Sequence, residues 1–209
     1  MNVFVLCTGR CGSMTFARAC AHATNYTAGH ETRRNHVGSQ RIAYPENHVE
    51  ADNRLSWFLG RLDEKYGDDA FYVHLTRNRR DTAKSYVTWH EKGIIRAYRE
   101  GVLMGCPSYI KQIDVCLDYC DTVNANIRAF LKDKTRKMDF RLEDAKEDFR
   151  KFWERIGAEG DLEAALAEWD VSHNASGQPE EKEKEPYPAT FKRRFARQMR
   201  RLTYYVKGL

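Results

Sequence analysis

VLCTGRCGSMTF, residues Val5 to Phe16, carries three signals in succession. An apolar strand, VFVL over Val3 to Leu6, runs into a loop with two glycines. The loop rises into a helix expected over Ser13 to Ala23, with Ser13 near its N-cap. Glycines let backbone amides approach a ligand closely, and a helix N-terminus adds free N–H groups and the positive end of its dipole. Arg10 contributes a full charge, and Ser13 and Thr15 contribute hydroxyls. Gly9, Arg10, Cys11, Gly12, Ser13, Met14 and Thr15 together read as a cradle for a phosphate or sulfate. The bland alternative is a turn whose glycines serve only strand-to-helix packing.

The ATP-binding version of such a loop, G-x-x-x-x-G-K-[ST], is not met. Gly12 follows Gly9 by three positions rather than five, and no lysine or magnesium-binding hydroxyl stands in register. The expected ligand is therefore an anion held without an obligatory metal.

Outward from this loop the chain alternates strand and helix, the pattern of a parallel sheet with helices on both faces. The expected class is α/β: about four to five parallel strands in a P-loop-like three-layer sandwich. NYTAG (Asn25 to Gly29), AFYVHL (Ala70 to Leu75) and KMDFRL (Lys137 to Leu142) read as further strands. Residues 30–51 are polar, hold three histidines, and read as an irregular working loop. Helices are expected over Asp52 to Tyr66, Arg79 to Glu91, Tyr109 to Phe130, 143–156 and 161–169. One domain is expected over residues 1–209. Within it, 176–188 (SGQPEEKEKEPYP) reads as a charged mobile linker and 189–206 as a basic amphipathic helix.

The 209 residues suffice for one sizeable core, and 42% apolar with 31% charged residues suits an ordinary globular domain. No apolar run approaches the length of a membrane span, and the N-terminus reads as a strand rather than a signal peptide, so a cytoplasmic location is expected. The six cysteines then read as free thiols. The pairs Cys7/Cys11 and Cys116/Cys120 have no nearby histidine to complete a zinc set, and no metal is expected. A net charge of +5 with 30 acidic residues suits an anionic ligand and is thin for a nucleic-acid binder.

A second basic segment, YVHLTRNRRDTAKSYVTW over Tyr72 to Trp89, places Arg77 just past a buried strand and Ser85 eight residues later on a helix. Ligands of open α/β sheets bind at strand carboxyl ends, so Arg77 and Ser85 are candidates to grip a second phosphate. A solvated basic turn is the competing reading.

On these residues the chain resembles the PAPS-dependent sulfotransferases, whose donor is 3′-phosphoadenosine 5′-phosphosulfate. The family's first loop, [K/R]-S-G-[T/S]-T, is matched by RCGSMT (Arg10 to Thr15). Its R-[D/N]-P-x-D-x-x-x-S signature is matched by RNRRDTAKS (Arg77 to Ser85), with Asp81 in place. Residues 139–157 resemble the family's later strand, E-D-L and helix. The resemblance implies that residues 9–15 bind the 5′-phosphosulfate and that Arg77 and Ser85 bind the 3′-phosphate. Three departures stand out: Cys11 for Ser, Met14 for Thr, and Arg79 where Pro is common. The first two remove hydroxyl donors.

Sulfuryl transfer to a hydroxyl needs a base for the acceptor's proton and donors for the developing charge. Arg10 and the loop amides are candidates for the second role, since an arginine stabilises charge without giving up a proton. The family uses His or Glu as base, in some members a Glu shortly after strand two. AGHETRR (Ala28 to Arg34) fits that layout, so Glu31 is the first candidate and His30 the second, an ion pair with Arg33 or Arg34 being the alternative role for Glu31. Tyr86, Trp89, Tyr98 and Tyr109 are candidates to stack on a small-molecule or carbohydrate acceptor, or else belong to the core. Three other readings remain: an ATP-dependent small-molecule kinase, a nucleic-acid-binding module, and a degenerate protein that binds PAPS without chemistry.

Overall fold

A computed structural model describes residues 1–171 of the chain. The linker expected at 176–188, the basic helix expected at 189–206 and Asn174 lie outside the described residues. Five strands form one sheet: β1 (Val3–Cys7), β2 (Thr27–His30), β3 (His48–Ala51), β4 (Phe71–Thr76) and β5 (Lys137–Arg141). The order across the sheet is β2-β3-β1-β4-β5, and every neighbouring pair is parallel.

Each central strand is buried on both sides, and its alternate residues feed two separate cores. Val3, Val5 and Cys7 point to one face, where α1 (Ser13–Cys20), α6 (Ala145–Ile156) and α7 (Leu162–Ala167) pack. Phe16 is the hub there, edge-on to Phe140 at 5.1 Å and to Phe152 at 4.9 Å. Phe4, Leu6 and Tyr72 point to the other face, covered by α2 (Leu59–Tyr66), α3 (Arg79–Val87), the short α4 (Gly93–Ala97) and α5 (Gln112–Leu131). The result is the expected three-layer sandwich. Each fully buried Phe or Leu adds roughly 1.5–3 kcal/mol of hydrophobic stabilisation.

The chain leaves β1 toward one face through α1 and leaves β3 toward the other through α2. The strand order therefore reverses at β1, and ligands of open α/β sheets bind at the strand carboxyl ends beside such a reversal. Both motif loops lie at this end of the sheet.

Two expectations need correction. Residues 30–51 are not irregular throughout, because His48–Ala51 is a strand inserted between β1 and β2. It escapes a hydrophobic-pattern reading because its inward residues include His48 and Glu50, with Glu50 wholly buried. The Glu50 carboxylate accepts from the Thr32 N–H and the Thr32 hydroxyl, both at 2.7 Å, and contacts His48 Nε2 at 2.9 Å. These partners offset the cost of burying it. The helix expected over 52–66 is broken: a 3-10 turn over Asn53–Trp57 precedes α2, and Asp52 caps it by accepting from the Arg54 N–H at 2.8 Å.

Candidate functional site

Local backbone chemistry shapes the first loop. Gly9 (φ 82°), Arg10 (φ 58°) and Gly12 (φ 92°) all adopt left-handed conformations. A Cβ on Gly9 would stand 2.4 Å from the Tyr86 hydroxyl oxygen, so only glycine fits there. Arg10 and Glu31 are two of the four non-glycine residues with positive φ among the described residues, and both lie at the candidate site. Backbone outliers of this kind persist where surrounding contacts over-determine them.

Three of the loop's carbonyls are occupied. The Gly9 carbonyl accepts from the Thr8 hydroxyl at 2.9 Å, the Arg10 carbonyl from Arg77 Nη1 at 3.2 Å, and the Gly12 carbonyl from the Phe16 N–H at 2.9 Å. Among the described residues, no backbone carbonyl accepts from the N–H groups of Cys11 to Thr15. The first turn of α1 holds no acidic residue. N–H groups left without a backbone acceptor, next to carbonyls that are engaged, are the donor set an anion can use.

The second motif meets the first in space. Arg77 follows β4 directly and reaches the Arg10 carbonyl. Ser85 lies on α3, and its hydroxyl accepts from Arg10 Nε at 3.0 Å. The Arg10 guanidinium lies 5.0 Å from the Trp89 ring centroid, a cation–π contact that helps fix its position. Burial lowers the Arg10 pKa, but an arginine stays cationic.

Cys11 is wholly buried and joins the core under the loop together with Cys7. Hydrogen bonding from Cys7 lowers the Cys11 thiol pKa and raises that of Cys7, and burial adds to the rise. The Cys11 side chain is thus a packing group, and only its N–H belongs to the loop's donors. Met14 is half-buried at the start of α1. All six cysteines are free thiols.

The two candidate bases differ in their surroundings. His30 ends β2, and its Nε2 lies 3.1 Å from the Ser13 hydroxyl. Burial lowers its pKa, so the ring is neutral at neutral pH. The Glu31 carboxylate forms ion pairs with Arg54 and, at 3.7 Å, with Arg34. Arg54 comes from the turn after β3 and was missed in the sequence, because its approach to Glu31 depends on that strand's position. Of the four aromatics proposed to stack on an acceptor, Tyr86 and Tyr98 are buried, Trp89 is half-buried and Tyr109 is exposed. The exposed Trp57 joins them as a surface aromatic at this end of the sheet.

Neither a family model nor a curated protein matches the chain. Among solved structures it is similar to a sulfotransferase domain from the curacin biosynthetic pathway, with a TM-score of 0.59 and 13% identity over 84% of this chain and 80% of that one. The likeness is one of fold: a five-stranded parallel α/β sandwich of the sulfotransferase kind. Among the described residues no helix is long and apolar enough to cross a membrane.

Proposed function

We propose that the protein is a PAPS-dependent sulfotransferase acting on a hydroxyl or amine of a small-molecule or carbohydrate acceptor, with no metal required. The observation that carries this reading is the meeting of the two motif segments through Arg10–Ser85 and Arg77–Arg10. A ligand with an anionic group at each segment suits that arrangement better than a simple phosphate does.

In this reading the N–H groups of Cys11 to Thr15, with Arg10, hold the 5′-phosphosulfate, and Arg77 and Ser85 hold the 3′-phosphate. PAPS, when bound, supplies the sulfuryl group and a phosphate that leaves without needing a proton. The chain's own tasks are to orient that group, to balance developing charge with Arg10 and the loop amides, and to take the acceptor's proton. His30 is favoured over Glu31 as base. It is neutral and stands against the loop, whereas Glu31 already shares its charge with two guanidinium groups. A His30→Gln variant is expected to lose most turnover and a Glu31→Gln variant less. The reverse order would restore Glu31 as base.

The cofactor class is tested by thermal unfolding with 3′-phosphoadenosine 5′-phosphate beside ATP, each with and without magnesium. At about 100 times its dissociation constant a ligand adds roughly 2.7 kcal/mol, or about 5–10 °C at this size. A larger shift with the 3′-phosphorylated nucleotide, independent of magnesium, supports the proposal. A shift only with ATP and magnesium favours the kinase reading. Binding without turnover over a broad acceptor panel favours the degenerate one.

A further inference from the structure

The carbonyl of Thr8, the last residue before Gly9, is buried and accepts from three side chains. Tyr119 donates its hydroxyl at 2.8 Å, Tyr86 donates its hydroxyl, and Asn53 donates Nδ2 at 3.4 Å. These donors come from three elements: the middle of α5, the residue after Ser85 on α3, and the turn after β3. Both tyrosines are deeply buried, and their rings meet edge-on at 5.2 Å. Phenylalanine would fill the same volume. Burying a hydroxyl is unfavourable unless it is bonded; both hydroxyls bond the Thr8 carbonyl, and they also lie within hydrogen-bonding reach of each other. The same tyrosine hydroxyl defines the space that excludes a side chain at Gly9.

We infer that Tyr86, Tyr119 and Asn53 are positioning residues that anchor the first peptide of the anion loop from beneath. Arg77 anchors a second point, the Arg10 carbonyl, from the other motif. With both points held, the loop stands in its binding shape before the ligand arrives, and less ordering remains for binding to impose. The ligand part of this inference rests on the proposed function. The anchoring part does not.

The test compares Tyr119→Phe and Tyr86→Phe with Tyr98→Phe. Tyr98 packs on Tyr119 at 5.4 Å, but its hydroxyl bonds Asp118 and Thr122 rather than the loop. Native-state hydrogen exchange of the amides of residues 9–13 reads the anchor without any ligand. Affinity for 3′-phosphoadenosine 5′-phosphate reads its consequence. Both loop-facing variants are expected to exchange these amides about tenfold faster and to bind the nucleotide about three- to tenfold more weakly. Tyr98→Phe is expected to lose similar global stability with neither effect. Loop exchange unchanged in both variants, or accelerated equally in Tyr98→Phe, overturns the inference. Faster loop exchange in a protein whose wild type ignores the nucleotide upholds the anchor and overturns the sulfotransferase reading. Tyr86→Phe decides the matter alone if Tyr119→Phe fails to fold.

Discussion

Arg10 Nε donates to the Ser85 hydroxyl at 3.0 Å, across 75 residues of chain. The contact joins two motifs, each of which has a bland explanation when taken alone. A glycine turn can be mere packing and a basic turn can be mere solvation. Their meeting at the carboxyl ends of β1 and β4, where the strand order reverses, makes two weak signals into one candidate site.

Arg77 is expected to serve the ligand and the loop together. Losing a charge-assisted contact costs about 1.5–3 kcal/mol, so Arg77→Ala should weaken nucleotide binding roughly ten- to a hundredfold. Arg77→Lys keeps the charge but loses the planar fork, and should recover only part of the loss. Calorimetric titration with 3′-phosphoadenosine 5′-phosphate measures both. Unchanged affinity in Arg77→Ala would remove this residue from the site.

Gly9 and Gly12 should differ in their tolerance of alanine. Both have positive φ, but a Cβ on Gly9 meets the anchored Tyr86 hydroxyl oxygen at 2.4 Å, while one on Gly12 meets Leu142 Cδ1 at 2.7 Å. The Leu142 methyl ends a flexible side chain, whereas the Tyr86 hydroxyl is held. Gly9→Ala is expected to cost about 2–3 kcal/mol, lowering Tm by roughly 4–12 °C, and Gly12→Ala less. Equal melting temperatures for the two variants would contradict the geometry.

His30 should leave a signature in the pH dependence of stability. Burial lowers its folded-state pKa below the ordinary 6.5, and His74, buried against Asn124, is lowered in the same way. Between about 6.5 and the depressed folded values the unfolded chain binds more protons than the folded one. Stability should therefore be fully present above about pH 6.5 and fall as pH drops through that window. Denaturant melts of the wild type, His30→Gln and His74→Gln measure this, each variant losing part of the slope. If His30 is the base, the acid limb of kcat/KM lies below pH 6.5, and a limb above about pH 7 would count against it.

Arg41 and Asp52 form a buried ion pair at 2.5 Å, with side chains 3% and 0% exposed. Arg41 also donates to the Tyr44 hydroxyl and lies over the Phe58 ring, while Asp52 accepts from the Arg54 N–H. Removing one partner strands a buried charge, so Asp52→Ala should cost about 3–5 kcal/mol. A paired apolar replacement, Arg41→Met with Asp52→Leu, should recover much of that. Urea midpoints are the readout, and a midpoint unmoved by Asp52→Ala would refute the assignment.

β3 shows why part of the fold escaped the sequence. A strand that buries histidine and glutamate looks polar, and its only apolar residues are Val49 and Ala51. The donors that make Glu50 tolerable come from Thr32 and from His48, so the strand is legible only once its neighbours are in place. The ion pairs of Glu31 were half legible. Arg34, three residues on, was a nearby candidate, but Arg54 reaches Glu31 only because the turn after β3 carries it there.

By itself the sequence determined the elements whose periodicity is local. These are the apolar strands β1, β4 and β5, the glycine loop with its helix, and the Arg77–Ser85 spacing. Hydrophobic alternation, glycine conformation and helix start signals act over a few residues and need no partner. Only the tertiary structure decided which side chains meet: Arg10 with Ser85, Arg77 with the Arg10 carbonyl, His30 with Ser13, and two buried tyrosines with the carbonyl of Thr8. Those contacts span distant segments and depend on strand order and on the burial of polar groups, which set their energies through neighbours that no local pattern records.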